Sequence, residues 1–357
     1  MNFDRTRQRL LLDGREYAPA DLDSLPGQGQ QELYDFLREW FDGSPYVSVQ
    51  TSGSTGTPKV WQARKTQMMQ SARLTCEALG LRVGDTALLN MNLRYIGAKM
   101  MVVRSLVAGL NLLVRPASGH PLADVETTVQ FASMVPMQVY NTLQVAAEKE
   151  RLGRADVLII GGGAVDEALL TEVGRLPGKV YSTYGMTETL SHIALRRLNG
   201  PEASERYFPL PSVHLSLSER GTLTIEAPLV CDEVLHTNDV ARLFPDGSFI
   251  VLGRIDNVIN SGGIKIQAEE LEAQLRQLLP GLSLVVTSMP DARLGEAVVL
   301  LVEKDLLDGD EREAMEAKIR AGVSSYSFPK RILTVERIPL AGNGKVDRAA
   351  CKKLVLL

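Results

Sequence analysis

Apolar and polar positions follow two different rhythms along the first half of the chain, and the changes of rhythm mark its elements. QQELYDFLREWF (30–41) repeats its apolar residues at helical spacing, and KTQMMQSARLTCEALGL (65–81) carries an apolar stripe at Met68, Ala72, Cys76 and Leu79, so both predict helices. VSVQ (47–50), TALLNMN (86–92), FASMV (131–135), ADVLII (155–160) and GKVYSTYG (178–185) are short apolar runs that predict strands. Helical and extended segments taking turns over residues 29–190 imply a largely parallel sheet covered by helices. MMVVRSLVAGL (100–110) is apolar on nearly every side, which predicts a buried helix with one guanidinium, Arg104, inside it.

From about residue 212 the segments shorten, with a hairpin signal at Pro245-Asp246-Gly247 between VARLF and FIVLG. A third section follows Gly253-Arg254. It reads as a strand, the helix AEELEAQLRQLL (268–279), the strands SLVVTSM and AVVLLVE, a charged helix over 308–320, and RILTVERI (331–338). The expected class is α/β, with a large domain over 1–253 made of sheets covered by helices. A small mobile α+β domain over 254–357 completes it.

Bulk properties narrow the function. A chain of 357 residues is too long for one ordinary core, and 45% hydrophobic with 23% charged residues is globular composition. A formal charge of -4 offers no general attraction to nucleic acid or to an anionic membrane. Cys76, Cys231 and Cys351 are scattered, which favours a reducing compartment and no structural zinc. No apolar run reaches the roughly 18 residues of a membrane span, so a cytoplasmic protein is expected.

TSGSTGTPK (51–59) has almost no side chain to bury. Consecutive Gly, Ser and Thr residues can turn backbone N–H groups inward as a nest for phosphate oxygens, with hydroxyls and a lysine added. The loop lacks the GxxxxGK[ST] spacing of a Walker A motif, and taken by itself it also fits a flexible surface loop. The triple glycine of GGGAVD lacks the last glycine of a dinucleotide fingerprint.

The full string TSGSTGTPK resembles the phosphate loop of the adenylate-forming family: acyl- and aryl-CoA synthetases, luciferases and peptide-synthetase adenylation domains. Further motifs follow in the family's order: VLIIGGGAV, YSTYGMTET (181–189), HTNDVARLFPDGSFIVLGRIDNVINSGGIKI (236–266) and PLAGNGKVDR (339–348). The resemblance implies ATP, Mg²⁺ and CoA, a small-molecule carboxylic acid as substrate, no nucleic acid and no stable membrane insertion, with a homodimer left open. It implies that Thr51, Ser52, Ser54, Thr55 and Lys59, on a loop shaped by Gly53 and Gly56, hold the β- and γ-phosphates. Adenine would lie on Gly161, Gly162 and Gly163 and against Tyr184, next to Gly185. Thr187 would contact the α-phosphate and Glu188 bind Mg²⁺, while Asp239 and Arg254 fix the ribose. Asp256 takes the hinge position, Gly262 and Gly263 pass pantetheine, and Lys345 is the cation that bridges carboxylate and α-phosphate. Retention of Lys59, Glu188 and Lys345 speaks against a nucleotide-binding regulator without turnover.

The chain also departs from the family. The section before the phosphate loop is short, which implies an N-terminally trimmed large domain. Arg94-Tyr95 stands where the family has its aromatic-His gate, Asn238 replaces a glycine, and Gln267-Ala268 replaces Tyr-Pro. The short form, SMVPMQVYNTL and YGMTETLSH resemble most the o-succinylbenzoate-CoA ligase branch, which serves menaquinone biosynthesis; another acyl or aryl ligase, or an adenylation enzyme loading a carrier protein, is the alternative. A buried Arg104 needs an anion, either an internal carboxylate or the spare carboxylate of such an acid. The ligases for this acid resemble the chain in carrying an arginine at the matching helix position, and that resemblance makes Arg104 the expected acid-binding residue, with Tyr95 and, as a weaker candidate, Lys99 beside it.

Overall fold

The computed structural model describes residues 1–50, 60–304, 309–340 and 346–356. It folds as two compact units. The first comprises Met1–Leu215, Ile225–Leu235 and Pro245–Ser248, and the second Ser216–Thr224, His236–Phe244 and Phe249–Leu357.

The first unit opens with the strands β1 (Leu10–Leu12) and β2 (Arg15–Tyr17), and helix α1 (Gln31–Phe41), which buries Leu33, Phe36, Leu37 and Trp40 on one face. β3 (Tyr46–Gln50) and β4 (Val60–Arg64) pair antiparallel from Tyr46↔Arg64 to Gln50↔Val60. Alternation then sets in as expected: α2 (Lys65–Leu79), β5 (Thr86–Leu89), α3 (Ile96–Ala108), β6 (Asn111–Val114), β7 (Phe131–Met134), α4 (Pro136–Gln144), α5 (Ala146–Gly153), β8 (Val157–Ile160), α6 (Glu167–Val173) and β9 (Lys179–Gly185). β10 (His192–Arg197) and β11 (Phe208–Pro209) close the series.

These strands form a nine-stranded sheet in the order β11-β10-β9-β8-β7-β5-β6-β1-β2. The six strands from β9 to β1 in that order are parallel, and antiparallel strands flank them at both edges. β5 and β8 are buried at every position, as strands must be when helices cover both faces of the sheet. One core cluster joins Leu88, Met134, Leu158, Ile160 and Val180 to Val139 and Leu169 on the covering helices. α3 is also buried over most of its length and stops at Gly109, whose φ of 70° is a left-handed cap that a side chain resists.

β12 (His214–Leu217), β13 (Thr222–Glu226), β14 (Leu235–Leu243) and β15 (Phe249–Arg254) form a four-stranded sheet, most of whose residues belong to the second unit. β14 and β15 pair across the expected Pro245-Asp246-Gly247 turn. The second unit continues with β16 (Val258–Ser261), β17 (Ile264–Gln267), α7 (Ala268–Leu278), β18 (Leu284–Asp291), β19 (Gly295–Glu303), α8 (Gly309–Gly322), β20 (Arg331–Val335) and α9 (Arg348–Leu354).

Its five-stranded sheet runs β17-β16-β19-β18, with β20 parallel beside β19. β18 over residues 284–286 and β19 over residues 297–302 are apolar at consecutive positions because each face has its own cover. Leu284, Val286, Val298 and Leu300 pack with Leu271 and Leu275 of α7 and with Met315 and Ile319 of α8. The alternate residues Val285, Val299 and Leu301 pack with Cys351 of α9.

A buried ion pair ties α9 to α7. Arg348 Nη1 and Nη2 donate to Glu272 Oε1 and Oε2 at 2.5 and 2.9 Å, and Val286 N donates to the same carboxylate at 2.8 Å. Glu272 is 2% exposed, and without Arg348 its carboxylate keeps, among the described residues, only Val286 N and the long ion pair to Arg276 Nη2 at 3.4 Å. Arg348→Leu is expected to cost about 1.5–3 kcal/mol in urea denaturation, the scale of a lost charge-assisted hydrogen bond. Adding Glu272→Leu should return most of that loss, and a cost below about 1 kcal/mol for the single change would show the pair to be dispensable.

Candidate active site

β5, β7, β8 and β9 run parallel and side by side, so their carboxyl ends open onto one edge of the sheet, the edge where α/β folds bind ligands. The register pairs Met134 with Ile160 and Ile160 with Ser182, which brings Gly161 level with Thr183. A Cβ on Gly161 would lie 2.6 Å from Thr183 Oγ1, the hydroxyl that donates to Ile160 C=O at 3.2 Å. Gly162 has φ of 76°, and Gly163 packs close to the Pro136 ring. The glycine turn thus has steric reasons of its own, independent of any nucleotide.

The chain leaves β9 through Tyr184 and Gly185 and returns in β10. A Cβ at Gly185 would meet the Ser191 carbonyl oxygen at 2.3 Å, so only glycine lets the two strands cross there. Met186 N donates to Thr189 Oγ1 at 3.0 Å, and Leu190 closes the turn with φ of 65°, a strained value for leucine. The half-buried Tyr184 ring tilts against Tyr207, with centroids 6.0 Å apart, and Tyr207 Oη lies 2.8 Å from Ser182 Oγ. Thr187 is half-buried and Glu188 exposed. Burial first, and then the charges of Glu233, Asp232 and Glu188, push the Cys231 thiol up, so Glu188 belongs to an acidic neighbourhood. No group of three or more His, Cys, Asp or Glu suited to a metal occurs among the described residues. One accessible carboxylate nevertheless fits Mg²⁺, which keeps most of its water and phosphate ligands and takes one or two carboxylates from a protein.

Arg104 is 1% exposed on α3. Its Nη2 donates to Ser191 Oγ at 2.5 Å, and its Nε has no hydrogen-bond partner among the described residues. Burial lowers its pKa to about 10, and no carboxylate offsets the effect. Among the described residues no internal Asp or Glu pairs with this buried guanidinium. Lys99, on the same helix, has one: Glu39 Oε2 lies 3.6 Å away, and its Nζ sits 4.8 Å from the Phe36 ring centroid. Tyr95 is exposed, and its backbone bridges Gln50 at the end of β3.

In the second unit, Arg254 Nη1 donates to Asp239 at 3.3 Å and Nη2 to Asp256 at 2.9 Å. Asn238 Nδ2 donates to Asp256 Oδ2 at 3.1 Å. The residues read as ribose contacts and as hinge thus form one charged cluster, with Asp239 half-buried and Arg254 and Asp256 exposed, around the strand pair Asp239↔Arg254. Gly262 and Gly263 have φ of 61° and 84° and form the two-residue turn between Ser261 and Ile264, a hairpin geometry that demands glycine-like residues. Thr51, Ser52, Gly53, Ser54, Thr55, Gly56, Lys59 and Lys345 lie outside the described residues. The structure adds Ser191, His192 and Thr75 beside Arg104, to which the sequence assigned no role. The one available signal was a histidine within the apolar run HIAL.

The AMP-binding enzyme family matches residues 26–223. A crystal structure of an acyl-CoA synthetase (AMP-forming)/AMP-acid ligase II-like protein from Dyadobacter fermentans is 36% identical, with a TM-score of 0.62 over 90% of this chain and 92% of that one. A probable 2-succinylbenzoate–CoA ligase of Mycobacterium tuberculosis is 28% identical over 92% of this chain and 90% of its own length. The 2-hydroxy-7-methoxy-5-methyl-1-naphthoate–CoA ligase of Streptomyces carzinostaticus is 26% identical over 85% of this chain, which spans 61% of that enzyme's length. Sheet order, strand-edge loops and these relationships agree: the chain belongs to the AMP-binding enzymes of the adenylate-forming superfamily.

Proposed function

We propose that the chain is an AMP-forming acid–CoA ligase whose acid is o-succinylbenzoate, acting in menaquinone biosynthesis. A carboxylate oxygen of the acid attacks the α-phosphorus of ATP, and the bond to pyrophosphate breaks to leave acyl-AMP. The CoA thiol then attacks the acyl carbon, AMP leaves, and the thiol proton passes to solvent. Two anions must meet in the first step, so the protein's contribution is positioning and charge neutralisation. In this reading Thr51, Ser52, Ser54, Thr55 and Lys59 hold the outer phosphates, Thr187 the α-phosphate, and Tyr184 with Gly161 to Gly163 the adenine. Asp239 and Arg254 hold the ribose. Glu188 holds Mg²⁺, which supplies charge neutralisation at the phosphates. Backbone rotation at Asp256 exchanges the adenylating and thioester-forming poses, with 254–357 moving as the small domain and Gly262 and Gly263 beside the pantetheine arm.

The observation that carries the choice of acid is Arg104, a buried guanidinium with no carboxylate partner among the described residues. o-Succinylbenzoate has two carboxylates, one to be activated and one to spare, and an arginine fork suits the spare one. The likeness to the mycobacterial ligase supports this reading. The likeness to the naphthoate ligase keeps a second reading, an aryl acid with a single carboxylate. Measuring AMP release with CoA across a panel of aryl mono- and dicarboxylates tests them together. o-Succinylbenzoate should give the highest kcat/KM, and preference for a monocarboxylate would favour the second reading.

Lys345→Ala should slow acyl-AMP formation by roughly 100-fold or more and spare thioester formation from supplied acyl-AMP, because its charge is needed only while two anions approach. Equal losses in both half-reactions would remove the assignment. Arg104→Leu should raise KM for o-succinylbenzoate by roughly 10- to 1,000-fold and leave KM for ATP unchanged. A folded variant with unchanged KM for the acid would make Arg104 a structural residue.

A further inference from the structure

Arg104 stands at the end of a chain of hydrogen bonds whose direction follows once the Thr75 hydroxyl is assigned to its helix carbonyl. Thr75 Oγ1 donates to Ser71 C=O at 3.0 Å, so toward His192 Nε2, 3.2 Å away, that oxygen can only accept. The proton of His192 therefore resides on Nε2, and Nδ1 is left as an acceptor. Nδ1 faces Ser191 Oγ at 3.4 Å, and Ser191 can donate its hydroxyl proton to it. Ser191 Oγ in turn accepts from Arg104 Nη2 at 2.5 Å. Thr75, Ser105 and His192 are all buried around this path.

The direction holds only while His192 is neutral. A second proton on Nδ1 would abolish the acceptor and set an imidazolium beside a guanidinium in a buried space. Burial, and then the Arg104 charge, hold the His192 pKa down to about 3, so the neutral ring persists throughout the working range of an enzyme. Cys76, the other titratable group against Arg104, also stays neutral, since burial pushes its thiol up to about 11.

We propose that His192 and Thr75, acting through Ser191, are positioning residues that orient the Arg104 fork and so set the preference for an acid with a second carboxylate. The path occupies one Nη2 proton with a neutral acceptor and leaves the other donors, including the unpartnered Nε–H, available to an anion. A neutral acceptor suits this task better than Asp or Glu, because a carboxylate there would cancel the charge meant for the substrate. The inference rests on reading Arg104 as the anchor of the acid.

The test is the ratio of kcat/KM for o-succinylbenzoate to that for an aryl monocarboxylate, with KM for ATP measured alongside. Ser191→Ala and His192→Phe should each lower the ratio about 10-fold through the KM of the dicarboxylate, with KM for ATP unchanged. His192→Gln, which keeps one acceptor and one donor, should stay within about threefold of the parent chain. Ser191→Ala removes a single oxygen and guards against a folding failure at His192. If both variants leave the ratio within about twofold while Arg104→Leu removes it, the relay has no part and the anchor stands. If Arg104→Leu itself leaves the ratio intact, the reading of the anchor falls. A Gln variant as poor as the Phe variant, or a matching rise in KM for ATP, overturns the proposal in favour of packing alone.

Discussion

Parallel strands cannot be joined by a tight turn, and that constraint organises the first unit. Each connection between β5, β7, β8 and β9 must cross back over the sheet, so every carboxyl end points the same way and every departing loop gathers at one edge. The glycine turn after β8 and the Tyr184 to His192 turn after β9 become neighbours for this reason alone. Helices fill both faces, which buries β5 and β8 at every position and makes both almost wholly apolar.

A consequence is that charge placed on the covering helices is expensive, and the two cations of α3 meet the expense differently. Lys99 reaches Glu39 near the surface and behaves as a structural ion pair. Arg104, deeper in, meets, among the described residues, the hydroxyl of Ser191 with a neutral histidine behind it. A full positive charge held by neutral acceptors is a costly arrangement for stability and a useful one for binding an anion. Functional sites are where local rules are most often broken.

The glycines show how two requirements can share a residue. Gly185 is needed where β10 crosses β9, Gly161 where Thr183 packs, and the Gly262-Gly263 pair where a two-residue turn reverses the chain. Each was read from the sequence as a place where a ligand approaches backbone. The steric reason and the ligand reason are compatible, because a glycine that lets protein backbone pass also leaves backbone bare.

Hydrophobic patterning and turn residues by themselves determined the helix and strand alternation, the buried helix around Arg104, the turn at Pro245-Asp246-Gly247 and the existence of β18 and β19, because these depend on the local sequence. Motif order determined the family. TALLNMN was read as a strand to Asn92 and stops at Leu89 in the structure, since apolar content does not say where pairing ends. Only the tertiary structure decided which cation has an internal partner: Lys99 and Arg104 lie on one helix in equally apolar sequence, and Glu39 and Ser191 come from distant segments. The tautomer of His192 was likewise beyond the sequence, because it depends on Thr75 having already given its proton to a helix carbonyl 3.0 Å away.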